Sequence, residues 1–254
     1  MANVVVNSTD IQNIADAIRS KNGLATTYLP SQMPAAISAI PTGGGGSITA
    51  DDIALRTISG NISGSASFIE PYAFFNCTSL TTVSFPACTS IGFYAFQFCS
   101  ALTTASFPAC TIIASSAFNN CTSLTTISFP VCTIIGSYAF QFCSALTTVS
   151  FPSCTSIGYY TFGSCISLTT ASFSACTSIG SNAFKACYNL ISLYLTNISS
   201  VPTLQLSAFS STPIGGYTTS TGGVYGSVFV PSSLYQSFLT ATNWGSISAR
   251  IVSI

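Results

Sequence analysis

A cysteine stands at every eleventh position from Cys77 to Cys187, and these eleven are all the cysteines in the 254-residue chain. Three kinds of chemistry use sulfur at fixed spacing. Disulfides need Cβ atoms about 3.8 Å apart and suitably angled. Metal sites need convergent ligands, usually cysteines two to four residues apart together with histidine, and this chain has no histidine. A thiolate nucleophile needs a neighbouring base or cation to lower its pKa. None is near, because no Asp, Glu, Lys or Arg occurs between Pro71 and Phe184. A fourth reading is structural: free cysteine is a small, readily buried side chain. Stacked strands lie about 4.8 Å apart, which sets parallel thiols too far apart and wrongly aimed for bonding. The count is also odd. Reduced core cysteines are therefore expected, and with them folding in a reducing compartment.

The remaining chemistry is sparse. The acids, Asp10, Asp16, Asp51, Asp52 and Glu70, all precede the charge-free stretch. Asp51-Asp52 reads as a helix start or cap rather than a catalytic carboxylate pair. No phosphate-binding loop is present, and the residues combine into no catalytic constellation. No enzyme activity, cofactor or metal is expected.

What must position the cysteines is a 22-residue period that divides them into two columns. Cys77, Cys99, Cys121, Cys143, Cys165 and Cys187 each follow a Phe by three residues, and Cys88, Cys110, Cys132, Cys154 and Cys176 follow Phe-Pro or Phe-Ser steps. Six units begin at Ile69, Ile91, Ile113, Ile135, Ile157 and Ile179, sharing I-G-x-x-A-F-x-x-C-x-x-L-T-T-φ-S-F-P-x-C-T-x with φ apolar. A fixed period in the twenties denotes a solenoid, whose coils bury their apolar sides against one another. Leu80 to Phe85 reads as a strand, with Val83 and Phe85 inward and Thr82 and Ser84 outward. Pro86, Pro108, Pro130 and Pro152 end the strands. Gly92, Gly136, Gly158 and Gly180 mark a turn expected to need an unusual backbone angle. The Ala-Phe-x-x-Cys stretch suits a single turn of α- or 3₁₀-helix on the opposite side.

These motifs resemble the BspA-like leucine-rich repeats, which read I-G-x-x-A-F-x-x-C-x-x-L-x-x-I-x-L-P. The resemblance runs from Ile69 to about Val201. It departs in having Phe where the family has Leu before Pro, and in its second cysteine column. It implies an α/β solenoid of about six 22-residue turns, with short parallel strands on one face and caps at both ends.

Charged residues make up 4% of the chain and the net charge is zero. Nucleic-acid binding needs a basic stripe to neutralise phosphates, and none exists. No apolar run of 18 residues marks a membrane span. Residues 1–7 lack the basic and apolar segments of a secretory signal, so synthesis and folding in the cytosol are expected. A neutral, hydroxyl-rich exterior has little charge to keep copies apart. It suits part of a larger assembly, or a tip that meets sugars.

The ends differ in texture. Residues 1–40 read as a helical hairpin: Ile11, Ile14, Ala15 and Ile18 face inward on the first helix, and Met33, Ala36, Ile37 and Ile40 on the second. So small a hairpin needs a partner, and Ile11, Ile14, Ile18, Met33, Ile37 and Ile40 are its candidate anchoring or oligomer interface. Residues 41–47 are a glycine-rich tether, 48–68 an N-terminal cap carrying Ile53, Leu55 and Ile58, 69–201 the solenoid and 202–254 a C-terminal cap. In the last, Pro231-Ser232 opens a helix and Trp244 packs on the final coil. The segment from Asp10 to Gly23, with Tyr28 to Ile37 after it, resembles one common in tail-associated proteins of phages and prophages of Gram-positive gut bacteria, I-A-x-A-I-R-x-K-N-G…Y-x-P-x-x-M-x-x-A-I. That resemblance implies docking to a virion tail or baseplate protein. A generic amphipathic hairpin is the alternative.

Three surfaces are candidates for binding. The strand face carries Thr82, Thr104, Thr126, Thr148 and Thr170 beside Ser84, Ser106, Ser128, Ser150 and Ser172. These hydroxyls either keep an exposed sheet soluble or meet a repetitive glycan; ordered ice is a remoter ligand. The turn side carries Tyr72, Tyr94, Tyr138 and Tyr160, interrupted by Ser116 and Asn182, with Phe98 and Phe142 in a neighbouring column. Those rings either shield the core or stack on sugars. The loop from Ser210 to Gly226 is a third site, or a solvated connection. Three functions follow: a tail-associated protein binding a host-surface glycan or protein as a small homo-oligomer, a virion spacer or decoration without a ligand, and a bacterial surface adhesin.

Overall fold

The computed structural model describes residues 4–6, 60–217 and 225–254. The hairpin with its six anchoring residues, the glycine tether, Asp51-Asp52, the cap residues before Gly60 and the centre of the 210–226 loop lie outside the described residues.

Each period forms one coil with two short strands. The longer strands are β2 (Gly60–Gly64), β4 (Leu80–Ser84), β6 (Thr104–Ser106), β8 (Thr126–Ser128), β10 (Thr148–Ser150), β12 (Thr170–Ser172), β14 (Ser192–Tyr194) and β16 (Ser227–Val230), marking eight coils. Between them lie two-residue strands β3 (Phe68–Ile69), β5 (Ser90–Ile91), β7 (Ile112–Ile113), β9 (Ile134–Ile135), β11 (Ser156–Ile157), β13 (Ser178–Ile179) and β15 (Thr203–Leu204). These seven pair in one continuous parallel row. The repeats thus carry a second row of strands besides the expected one, built on the β-branched Ile column, and the six sequence units sit among coils that continue at both ends.

Register follows the columns: Thr82 pairs with Thr104 and Thr104 with Thr126, while Val83 lies beside Ala105 and Ala105 beside Ile127. The core is two files of stacked rings. Phe74, Phe96, Phe118, Phe140, Phe162, Phe184 and Phe209 follow one another at 5.0–5.6 Å between centroids. Phe85, Phe107, Phe129, Phe151 and Phe173 do so at 5.4–5.9 Å. The files meet edge-on, as at Phe96 and Phe107. Offset stacking and edge contacts both suit aromatic quadrupoles, so Phe before Pro gives this core a ring-to-ring continuity that Leu cannot.

The Ala-Phe-x-x-Cys segment is neither α- nor 3₁₀-helix. Ala73, Phe75 and Cys77 donate their N–H groups three residues back, to Glu70, Tyr72 and Phe74, whereas Phe74 and Asn76 donate to Ala95 and Gln97 of the next coil at 2.7 Å. Alternate amides therefore serve the turn and the stack. Left-handed backbone at Tyr72 (φ 63°) and Asn76 (φ 57°) makes that alternation possible and stops a helix from propagating. The glycines need a different account from the expected one. Gly92 and Gly158 do not have positive φ, but a Cβ would lie 2.5 Å from the Pro71 nitrogen and 2.7 Å from the Ser137 nitrogen. They permit close backbone approach, and the unusual angles fall on the tyrosine column instead.

The longer strands form two sheets, β1-β2-β4-β6-β8 and β10-β12-β14-β16-β17, where β1 is Val4–Val6 and β17 is Ile251–Ser253. No ladder joins β8 to β10. Between Val83 and Leu193 the inward column runs Val83, Ala105, Ile127, Val149, Ala171, Leu193. Each neighbouring pair includes an alanine except Ile127 with Val149. Ile127 is only half-buried, and the sheet opens there. At the first edge Ile62 beside Val83 is accommodated by a register shift between Gly60 and Asn61.

Each end of the stack carries a further strand from outside the repeats. β1 pairs parallel with β2. At the other end β16 pairs with β17, and helix α1 (Tyr235–Thr240) follows a 3₁₀ turn at Ser232–Leu234. Trp244 is fully buried; its Nε1 donates to the Pro202 carbonyl at 2.7 Å, and its ring contacts Phe209 and Phe238. An open parallel edge would recruit other chains.

Candidate functional site: the thiol columns and the three exposed faces

All eleven thiols are free and buried. The first column spans coils: Cys99 donates to the Phe74 carbonyl at 3.0 Å, Cys121 to Phe96 at 3.1 Å and Cys187 to Phe162 at 3.0 Å. The second column donates locally, as Cys88 does to the Ser90 carbonyl at 3.2 Å. Burial pushes the thiols up: Cys88 to about 11, Cys110 and Cys154 to about 12, and Cys121 and Cys143 well above the ordinary value. A thiol so held stays protonated at neutral pH and is a poor nucleophile. Among the described residues no three His, Cys, Asp or Glu side chains are grouped to hold a metal. No helix among them is long and apolar enough to cross a membrane.

Hydroxyls divide into two populations. Thr89, Thr111, Thr133, Thr155 and Thr177 donate to carbonyls of the preceding coil and stitch the rod, as do Thr103 and Thr125. The sequence reading did not separate these from the outward columns. Thr82, Thr104 and Thr126 with Ser84, Ser106 and Ser128 lie in register on one sheet, and Thr148 and Thr170 with Ser150 and Ser172 on the next. Thr126, Ser128, Thr148 and Ser150, which flank the opening, are the exposed members.

The turn side is the most apolar exterior. Tyr72 stacks on Tyr94 at 4.9 Å and Tyr138 on Tyr160 at 5.8 Å. Ser116, buried, separates the two pairs. Phe98 and Phe142 are 40% and 43% exposed, and Phe93 and Tyr159 join them at 53% and 40%. The last two were legible in principle, because they stand where other coils carry Ser115, Ser137 or Ser181. Between the ring clusters runs an amide chain: Gln97 Nε2 donates to Asn119 Oδ1 at 3.1 Å and Asn119 Nδ2 to Gln141 Oε1 at 3.0 Å. Lys185 closes the row, its Nζ donating to the Tyr160 hydroxyl at 2.9 Å.

In the described part of the third surface, Tyr217 and Tyr225 are exposed and the Arg250 guanidinium lies 3.8 Å from the Tyr225 ring centre. A cleft of about 280 Å³ beside the cap is lined by Leu204, Gln205, Leu206, Ser207, Ala208, Phe209, Ser210, Gly215, Asn243, Ser246 and Ile247, none of which titrates near neutrality.

A crystal structure of a leucine rich repeat protein from T. pallidum matches with a TM-score of 0.51 at 27% identity, covering 57% of this chain and 73% of that one. A leucine-rich repeat protein from Bacteroides ovatus matches at 22% identity and TM-score 0.43, covering 59% of this chain and 46% of that one. A leucine rich cell surface protein from Faecalibacterium prausnitzii matches at 22% identity and TM-score 0.40, covering 66% and 59%. No curated protein sequence matches. The model of the BspA type leucine rich repeat region matches residues 54–132 and 111–224 in six copies, and the chain belongs to that family.

Proposed function

We propose that this chain is a non-enzymatic binding protein, carried on a phage or prophage tail, whose rod meets a polymer or protein of the host cell surface. The observation that carries this reading is the exterior of the coils: uncharged from Pro71 to Phe184, yet rich in exposed rings and free hydroxyls in register. Each contact is weak, and copies and repeats multiply it. The N-terminal segment, residues 1–40, supplies the link to a tail or baseplate, with Ile11, Ile14, Ile18, Met33, Ile37 and Ile40 as its anchoring or oligomer interface and a small homo-oligomer as its assembled form.

Membership of the repeat family equally accommodates a bacterial surface adhesin, and a rod without a ligand would be a virion spacer. Gold-labelled antibody against the full chain separates these in electron micrographs of a producing culture. Label on tails of particles is expected. Label confined to the cell envelope would replace the tail reading with the adhesin. Tail label on particles that lose no host adsorption when the turn-side rings are substituted would leave only the spacer.

A further inference from the structure

The turn side holds aromatic residues where the backbone disfavours them. Tyr94, Phe98, Tyr138 and Phe142 have φ of 60°, 63°, 61° and 61°. This left-handed region suits Gly and Asn, and a bulky ring there is an outlier that the surrounding structure must enforce. The same columns accept the better-suited Asn76, Asn120 and Asn182 at other coils. Aromatic side chains therefore occupy these positions in spite of backbone preference, with Phe98 and Phe142 exposed and Tyr94 and Tyr138 partly exposed.

Their arrangement has a second regularity. The coil with Tyr94 and Phe98 is followed by one with Ser116, Asn119 and Asn120, and then by one with Tyr138 and Phe142. The two Tyr–Phe platforms, each with a further tyrosine (Tyr72 or Tyr160) stacked on its outer side one coil away, are thus two coil steps apart, about 10 Å by strand spacing, with amides between. The amides are locked to one another: Asn120 Nδ2 donates to Asn119 Oδ1 at 2.6 Å, and Asn119 Nδ2 to Gln141 Oε1 at 3.0 Å. The Gln141 NH2 group and the Asn120 side-chain oxygen make no bond among the described residues, which leaves a donor and an acceptor for something else.

We propose that this turn side is a carbohydrate-binding strip for a neutral, β-linked polysaccharide lying along the rod axis. Alternate sugars stack on the Tyr94–Phe98 and Tyr138–Phe142 platforms, and the sugar between them exchanges hydrogen bonds with Gln141 and Asn120. Two coil steps match the advance of two pyranose units in an extended chain. Sugar faces carry C–H groups that settle on rings, and their hydroxyls need uncharged donors and acceptors. An apolar protein partner would strand the amide groups, and an anionic polymer would find no cation on the coils of Tyr94–Phe98 and Tyr138–Phe142, the single lysine of the row, Lys185, lying beyond them and bonded to the Tyr160 hydroxyl. The inference deepens the binding reading above and rests on it.

The test is calorimetric titration of the full chain with cellohexaose, the N-acetylglucosamine hexasaccharide and neutral polysaccharide released from host cell wall. Tyr94→Asn and Tyr138→Asn place a residue already used in these columns, so their thermal midpoints should equal or exceed that of the parent. Affinity for at least one probe should fall about tenfold in each, whereas Gln236→Ala, exposed on helix α1 of the cap, should leave it unchanged. Parent-like affinity in both Tyr variants would overturn the strip while leaving the general binding reading intact. Loss of thermal stability together with affinity would show the rings to be core shields, and would also overturn it. Binding of no neutral probe by the parent, with host cells still bound, would overturn the ligand class alone; failure to bind cells as well would remove the underlying reading.

Discussion

The Cys99 thiol donates to the Phe74 carbonyl oxygen at 3.0 Å, across the boundary between adjoining coils. The bond recurs at Cys121, Cys143, Cys165 and Cys187. Each Phe carbonyl also accepts the N–H three residues on, as Phe74 does from Cys77. Cysteine at this position is therefore a coil-to-coil tie as well as a filler.

Cys121→Ala should remove both the tie and the sulfur's packing. A loss of about 1–2 kcal/mol is expected, read as a lower urea midpoint at unchanged slope. Cys154→Ala, whose thiol bonds to the Ser156 carbonyl two residues on at 3.2 Å, should cost less. Equal losses would show that the inter-coil bond contributes nothing.

Alkaline pH should weaken the fold. Unfolded thiols ionise at about 8.5; in the rod, burial raises Cys165 and Cys176 to about 12 and Cys88 to about 11. The folded state then holds protons that the unfolded state releases, so stability falls with pH. The contribution is complete below about pH 8.5 and is lost progressively towards 11–12. Urea midpoints at pH 7.0 and 10.5 check this. A flat profile would mean that the thiols are already ionised or oxidised.

Ile127→Ala should allow β8 and β10 to pair, because every other neighbouring pair in that column between Val83 and Leu193 contains an alanine. Slower amide exchange at residues 147–151 is the expected readout. The stability loss should stay below about 1 kcal/mol, against the 2–5 kcal/mol of a fully buried Ile→Ala change. A loss of 2 kcal/mol or more, with exchange unaltered, would assign the opening to another cause.

The period made the coils, the inward Phe and Cys columns and the Trp244 cap legible, because each position repeats one environment and residue types report burial directly. Backbone angles were not legible. Tyr72 and Phe98 are not residues that announce a left-handed turn, whereas the glycines that do announce one are required by proximity instead. Thr82 lies on β4 and Thr89 just before β5, the same residue type in one coil, and only coordinates show that Thr89 is tied to a carbonyl while Thr82 lies on the outward face. The sheet opening at Ile127 was present in the sequence as a broken alternation, but its consequence depends on how closely adjoining coils stack.

The most direct measurement is retention of the full chain on immobilised neutral polysaccharide from host cell wall, at low and at high sodium chloride. A neutral contact surface has no ion pairs for salt to screen, so saturable retention should be the same at both concentrations. Retention that disappears at high salt, or no retention at all, would contradict binding by the uncharged coils.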